Sequence, residues 1–222
     1  PDGSVGATNA RPNDDEDVVT VAHPLNPTSL GARQFRTQHG VRYSYLGGSM
    51  AGGDASEELV IELARAGFLA SFGAAGLLPD RIERGLRRFA TEIPGKPFAA
   101  NLIHSPSEDE LARATVGLYL AHGVRCVEAS AFMDLTAHLV RYRVAGVGRG
   151  GDGRPVASNR VIAKVSRPEV AEKFLSPPPE SILTHLVSRG VVTREQAELA
   201  RGIPMADNVT AEADSGGHTD RR

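Results

Sequence analysis

The segment PFAANLI, residues 97–103, is a short and almost continuous apolar run. Ser105 and Glu108 follow it at the spacing of a helix capping box. Continuous apolar strands are typical of parallel sheets, in which both faces of a strand are covered. From Phe35 onward the same pattern recurs, because short apolar or β-branched runs alternate with amphipathic helical patterns. The alternation predicts a parallel α/β fold.

Six strands are predicted, at residues 41–47, 67–72, 97–103, 124–131, 160–165 and 209–213. The helix that begins at Pro79 carries Ile82, Leu86 and Phe89 on one face, an apolar stripe suited to packing on a sheet. Other helix starts are indicated by an N-cap side chain with Glu or Gln three residues later. These pairs are Asp54/Glu57, Ser105/Glu108, Ser166/Glu169 and Thr193/Gln196.

Three stretches depart from the alternation. Residues 1–30 contain four prolines, no aromatic residue and an acidic run, and they predict a disordered leader before a domain at 31–222. Residues 139–160 flank a glycine-rich run and predict an inserted hairpin. Residues 177–202 predict two additional helices. Six βα repeats suit either an open doubly wound sheet or part of an eight-stranded barrel, which typically needs about 250 residues.

Composition excludes several classes of function. With 25 basic and 27 acidic side chains and no long basic run, the chain does not predict a nucleic-acid or anionic-membrane surface. The longest uncharged stretch, 66–78, is shorter than the roughly 18 residues of a membrane span. The single Cys126 excludes a thiolate zinc site, and the histidines lack paired spacing, so no metal is expected. Without a visible secretory signal, a cytoplasmic location is expected.

Candidate site residues follow the predicted strands, because α/β folds place their sites at the carboxyl ends of strands. After the first strand, glycines around Met50 either let backbone amides approach a flat ligand or serve only as a tight turn. Asn101 lies in an apolar strand and needs partners, which either a ligand edge or a neighbouring loop would provide. Lys164 interrupts another apolar strand, so either it has an anionic partner or its strand lies at a solvated edge.

Two further places are candidates. Glu128 and Ser130 share one face of the fourth strand, where Glu128 either faces the interior or pairs with Arg141 or Arg143. After the sixth strand, two glycines precede His218, whose imidazole would exchange a proton near neutral pH if it contacts a ligand, and would otherwise belong to a turn.

Several of these runs, in this order, resemble the flavin-binding barrel of the nitronate monooxygenase (2-nitropropane dioxygenase-like) superfamily. They are MAGG at 50–53, ANL at 100–102, IAK at 162–164 and SGGH at 215–218. Longer strings resemble the PfaD branch, the trans-acting enoyl reductases of polyunsaturated fatty acid and polyketide synthases. Those strings are NLIHSPSE at 101–108, VEASAF at 127–132, VRYR at 140–143 and EADSGGHTD at 212–220.

The resemblance implies a (β/α)8 barrel that binds FMN, of which this chain holds the first six repeats. In the implied reaction NADPH reduces FMN, and hydride then passes to the β-carbon of a 2-enoyl thioester on an acyl carrier protein. Synthase components are the implied partners, and a homo-oligomer is compatible with the sequence. His218 is the implied catalytic residue, as proton donor or as polariser of the thioester carbonyl. The implied cofactor-binding residues are Gly47, Met50, Ala51, Gly52, Asn101, Lys164, Gly216 and Gly217.

Two alternatives to enoyl reduction stay open. One is nitronate oxidation by the same flavin, with His218 as base. The other is a truncated barrel that docks in a synthase assembly without catalysis. Since the family's phosphate-binding loops follow strands seven and eight, which would lie beyond Arg222, we expect residues 1–222 alone to be aggregation-prone and colourless.

Overall fold

The computed structural model describes residues 25–212, which contain a six-stranded parallel sheet and a separate two-stranded hairpin. The strands of the large sheet run in chain order, with parallel pairing at every step. A doubly wound sheet would reverse its order near the middle. The predicted fold is therefore confirmed as consecutive repeats of the barrel type. The strands of this sheet are β1 (Leu46–Gly47), β2 (Leu69–Phe72), β3 (Ala99–Ile103), β4 (Cys126–Ser130), β7 (Arg160–Val165) and β8 (Asn208–Ala211).

Helices cover one face of this sheet and one end of the other face. The predicted apolar stripe on the helix that begins at Pro79 is confirmed, since Ile82, Leu86 and Phe89 are all buried. The helices are α1 (Arg33–His39), α2 (Glu57–Ala66), α3 (Pro79–Glu92), α4 (Asp109–Ala121), α5 (Ala137–Ala145), α6 (Pro168–Leu175), α7 (Glu180–Ser188) and α8 (Arg194–Ala200). Two short 3-10 turns, Pro27–Ser29 and Ala51–Gly53, complete the set, and the first of them lies within the stretch predicted as leader.

Side chains alternate strictly between the two faces of the sheet. On β3, Ala100 and Leu102 pack in the main core beneath the helices, whereas Ala99 belongs to a small apolar cluster on the opposite face. We call this opposite face the interior face. Its amino-end layer is apolar, and the next layer toward the carboxyl ends of the strands is polar. The apolar layer contains Leu69, Ala99, Cys126 and Ile162. What we call the polar layer is the set of residues two positions further along the same strands, Ser71, Asn101, Glu128 and Lys164.

Several predicted boundaries are wrong. The first strand begins at Leu46 instead of residue 41, while the predicted end of the sixth lies outside the described residues. Of the four predicted caps, Thr193 and Gln196 form the capping box. Helix α2 is capped by Ser56, not Asp54. Helices α4 and α6 begin later than predicted. Before α4, the Ser105 carbonyl accepts from the Glu108 N–H and closes a turn. In α6, Pro168 takes the first helical position.

The two insertions differ in how well they were predicted. The hairpin exists as β5 (Val147–Arg149) paired antiparallel with β6 (Pro155–Ala157). Its predicted first arm, from residue 139, is wrong, because residues 137–145 form α5. That helix is buried on several sides, at Leu139, Val140, Tyr142 and Val144, so its sequence lacks the polar face that distinguishes a surface helix from a strand. Within 177–202 the structure has α7 and α8, as predicted.

Helix α1 closes the amino end of the interior face. Phe35 and Val41 pack with the small apolar cluster, and the ring of His39 lies 4.5 Å from that of Phe35. His39 is buried, with Nε2 2.7 Å from Oδ1 of Asn208. Burial lowers the pKa of His39, an effect to which the charge of Arg160 adds and which Asn208 and Asp207 oppose only in part. The neutral imidazole is therefore the form that the fold favours.

We predict that His39 makes the protein less stable in mild acid. Because its folded-state pKa lies below the ordinary 6.5, the unfolded chain binds more protons, so the stability contribution is complete above that value and is lost as the pH falls. In His39→Gln, the free energy of unfolding should change less between about pH 7 and about pH 5 than in the wild type. Urea unfolding at both pH values measures this, with exposed His185→Gln as control. Equal pH dependence in His39→Gln and the wild type would contradict the prediction.

Candidate functional site

Glu128 lies at the centre of the polar layer on the interior face. Its side chain is only 1% exposed. The backbone N–H of Ser49, in the loop after β1, donates to Oε2 at 2.9 Å, and the ammonium of Lys164 on β7 lies 3.3 Å from Oε1. Glu128 pairs in register with Ile162 on β7, and Lys164 follows Ile162 by two residues. Because side chains two residues apart on a strand share a face, Glu128 and Lys164 lie on the same face of the sheet. Glu128 thus faces the interior.

Lys164 has two anionic partners, because Oε1 of Glu212 lies 2.9 Å from its Nζ in addition to the contact with Glu128. Strand β7 runs between β4 and β8, so the alternative of a solvated edge strand is wrong. Burial lowers the pKa of Lys164, but the hydrogen bond to Glu212 and the charge of Glu128 outweigh burial, and the net effect raises the pKa. The lysine is therefore a cation at neutral pH, and two carboxylates share its charge.

Arg143, the alternative partner of Glu128, binds elsewhere. Its guanidinium donates to both oxygens of Asp207, and to the carbonyls of Asn159 and Pro204. These contacts join α5 to the segment before β8 at the amino end of the sheet. The predicted choice between an interior Glu128 and an arginine-paired Glu128 is thus settled in favour of the interior.

Asn101 binds the neighbouring strand. Its Nδ2 donates to the carbonyl of Glu128 at 3.1 Å and to Oγ of Ser130 at 2.9 Å. Within the described part of the chain, no group donates to the Asn101 side-chain oxygen, which leaves one acceptor at the recess described below. The hydroxyl of Tyr119, from α4, donates to the Asn101 backbone carbonyl and fixes the strand from the opposite face.

The loop after β1 is held by the loop after β2. The N–H of Gly52 donates to the carbonyl of Ala75 at 2.8 Å, and that of Gly53 donates to the carbonyl of Gly73 at 2.9 Å. Both amides are therefore used within the protein. A Cβ on Gly47 would lie 2.7 Å from Leu63 of α2, so this glycine permits helix packing and its missing side chain does not face the interior. Met50 is 47% exposed.

Sequence reasoning missed the second of these loops, residues 73–76 with the sequence GAAG. A run of only small residues directly after an apolar strand is the signal that could have identified it. A Cβ on Gly73 would lie 1.8 Å from the Met50 carbonyl oxygen, so only glycine allows the two loops to approach this closely.

These elements enclose a small recess at the carboxyl ends of β1, β3 and β4. Of the predicted site residues, it contains Ala51 and Asn101, whereas Gly47, Met50, Gly52 and Lys164 are not among the residues that line it. Gly216, Gly217 and His218 lie outside the described residues. The recess combines small side chains with hydroxyl and amide groups, a set suited to the edge of a planar ring with donors and acceptors. It is lined by Ser49, Ala51, Ala75, Asn101, Ile103 and Ser130.

Over residues 25–212, His, Cys, Asp and Glu side chains do not come together in groups of three or more that would hold a metal ion. Nor does any helix in that range have the length and apolar character needed to cross a membrane.

Comparison with known proteins identifies the relatives of this chain, although no family model matches it. It is 47% identical over 204 residues to one subunit of the polyunsaturated fatty acid synthase of Thraustochytrium sp., a match that covers 92% of this chain and 14% of the relative. It is 46% identical over 197 residues to the polyketide biosynthesis protein PksE of Bacillus subtilis, covering 88% of this chain and 26% of the relative. These relatives confirm the resemblance to the PfaD branch.

A solved structure extends this resemblance to the fold of the chain. The enoyl reductase domain of MlnA, from the macrolactin biosynthesis cluster of Bacillus amyloliquefaciens, superimposes with a TM-score of 0.81 at 40% sequence identity. The match covers 83% of this chain and 43% of the MlnA domain chain. This chain thus spans less than half of that domain, and 26% or less of the two curated relatives named above.

We predict that Gly73→Ala disrupts the site, because the new Cβ would overlap the Met50 carbonyl and separate the two loops. The free energy of unfolding should fall by about 2 kcal/mol or more, the scale of overpacking combined with lost hydrogen bonds. Gly117→Ala is the matched control, because a Cβ on Gly117 in α4 has no neighbour within 4 Å among the described atoms, and it should stabilise the helix. Chemical denaturation measures both, and equal stability of the two variants would contradict the prediction.

Proposed function

We propose that this chain forms part of an FMN-dependent enoyl reductase that acts in trans on 2-enoyl thioesters carried by an acyl carrier protein, with NADPH as reductant. The observation that carries the proposal is the match to the MlnA enoyl reductase domain, at 40% identity over most of this chain. Kinship with subunits of polyunsaturated fatty acid synthases and with polyketide biosynthesis proteins supports synthase components as partners.

The residues of the recess fit a flavin ring. Ser49, Asn101 and Ser130 place hydroxyl and amide groups at its wall, and the side-chain oxygen of Asn101 accepts from none of the described residues. Ala51 and Ala75 leave space beside them. A ring edge that carries an imide N–H between two carbonyls would satisfy this donor and acceptor set. When bound, FMN would supply hydride transfer between NADPH and the enoyl thioester.

The roles proposed for the protein's own residues are binding, orientation and proton supply. Ser49, Ala51 and Asn101 would hold the ring edge, and Gly47 with Gly52 would shape the loop that carries Ser49 and Met50. The Lys164 ammonium would stabilise negative charge in the recess, although Glu128 and Glu212 already share its charge. Gly216 and Gly217 would bring His218 to the substrate, where it would supply a proton or polarise the carbonyl.

The test uses the full-length protein that contains this chain. Purified protein should be yellow with FMN absorbance and should oxidise NADPH only when a 2-enoyl thioester is present. Turnover of an alkyl nitronate with oxygen, and none with enoyl thioester plus NADPH, would replace the proposal with nitronate oxidation. Binding of carrier protein by a colourless preparation would replace it with a docking role.

A first variant tests Lys164, the cation paired with Glu128. Lys164→Met should weaken FMN retention and slow flavin reduction by NADPH, because it removes the charge beside the ring at a cost of about 1 to 3 kcal/mol. Lys96→Met, at an exposed position before β3, is the control for loss of a lysine. FMN content after gel filtration and stopped-flow reduction are the measurements. Wild-type values for both in Lys164→Met would remove Lys164 from the cofactor site.

A second variant tests the proton donor. His218→Ala should keep FMN bound but lower enoyl turnover by about 10²-fold or more, the usual scale for a positioned acid or base. Steady-state NADPH oxidation measures turnover, and the flavin spectrum checks that the cofactor is retained. His185→Ala, on the exposed side of α7, should leave turnover unchanged. A wild-type rate of turnover in His218→Ala would exclude His218 from the reaction.

A further inference from the structure

Glu128 connects parts of the sheet that are not neighbours. It starts from β4, yet it binds the loop after β1, from which β4 is separated by β2 and β3. It also contacts Lys164 on β7, on the other side of β4. A Cβ on Gly48 would lie 3.7 Å from Oε1, which shows how closely the backbone of the loop approaches the carboxylate.

The two oxygens of Glu128 have different partners. Oε2 accepts from the Ser49 N–H, whereas Oε1 accepts no hydrogen bond of normal geometry among the described residues and lies 3.3 Å from the ammonium of Lys164. An uncompensated carboxylate in so buried a position would be strongly destabilising. One side chain therefore sets the position of a loop through one oxygen and the position of a cation through the other.

We infer that Glu128 is a positioning residue of the recess, which holds the Ser49 backbone and the Lys164 ammonium in place for a bound cofactor. The inference rests on the proposed function for the identity of that cofactor, FMN. The sequence pattern indicated only that Glu128 shares a face with Ser130. That it connects the loop after β1 to β7 is a property of the folded sheet.

Two substitutions separate the two contacts. Glu128→Gln keeps an oxygen that can accept from the Ser49 N–H, but it places a neutral amide opposite Lys164. This variant therefore removes only one of the two carboxylate partners of the lysine. Glu128→Ala removes both contacts. Glu212→Gln is the matched control, because it takes one carboxylate from Lys164 and leaves the Ser49 hydrogen bond intact.

The first readout needs no cofactor. Hydrogen exchange of the peptide amides at 47–53 should be about tenfold faster or more in Glu128→Ala than in the wild type, because the Ser49 amide loses its acceptor. Glu128→Gln and Glu212→Gln should retain wild-type protection. Thermal unfolding identifies any variant that has lost the fold. If Glu128→Ala does not fold, the inference is tested with Glu128→Gln in the second measurement, described next. Unchanged exchange in a folded Glu128→Ala would overturn the loop contact.

The second readout is the affinity of the apoprotein for FMN, followed by quenching of flavin fluorescence. Glu128→Gln should weaken binding about tenfold or more, as expected for a displaced charged partner. In Lys164→Met the same Glu128→Gln change should have almost no further effect, because Glu128 acts through the lysine. Additive losses, or wild-type affinity in Glu128→Gln, would overturn the positioning of Lys164.

The two readouts distinguish failure of this inference from failure of the proposed function. If wild-type apoprotein does not bind FMN, the proposed cofactor is wrong, and the exchange experiment still decides whether Glu128 holds the loop. If the wild type binds FMN and the variants behave alike, the cofactor assignment stands and the positioning role of Glu128 is wrong.

Discussion

A carboxylate buried inside a protein must have both a counter-charge and hydrogen-bond donors, and Glu128 imposes this requirement on the described structure. It lies on the interior face of a parallel sheet, where the layer beneath it is apolar and offers no polar partner. The needed groups come from the loop after β1, through the Ser49 amide, and from β7, through Lys164. The lysine in turn pairs with Glu212 just after β8. The contacts of Glu128 and of its partner Lys164 therefore reach from the loop after the first strand of the sheet to the residue after the last.

Backbone contacts determine the shape of the recess above this charge. The loops after β1 and β2 pair through the amides of Gly52 and Gly53, and they approach so closely that residue 73 must be glycine. Asn101 and Ser130 bind each other across β3 and β4. A polar recess at the carboxyl ends of the strands, above an apolar layer, is the arrangement expected of a ligand site in a barrel. Kinship with the MlnA enoyl reductase domain leads to the same hypothesis by a separate route.

The sequence by itself determined the strand count, the parallel class and the alternation of faces, because these depend on local periodicity. It also indicated that Asn101 and Lys164 need polar partners, because a polar side chain in an apolar strand is visible in the sequence alone. It did not show that α5 is a helix, since a helix buried on several sides has no polar face to reveal its period. It missed residues 73–76 as a site loop, because the need for glycine there arises from a neighbouring loop.

Only the tertiary structure decided which charges meet. Arg143 is closer to Glu128 in sequence than Lys164 is, yet it pairs with Asp207, and Lys164 pairs with Glu128 and Glu212. Which partner a buried charge finds depends on the order and register of the strands. Those are properties of contacts between residues far apart in the chain, and the pattern within any single strand does not contain them.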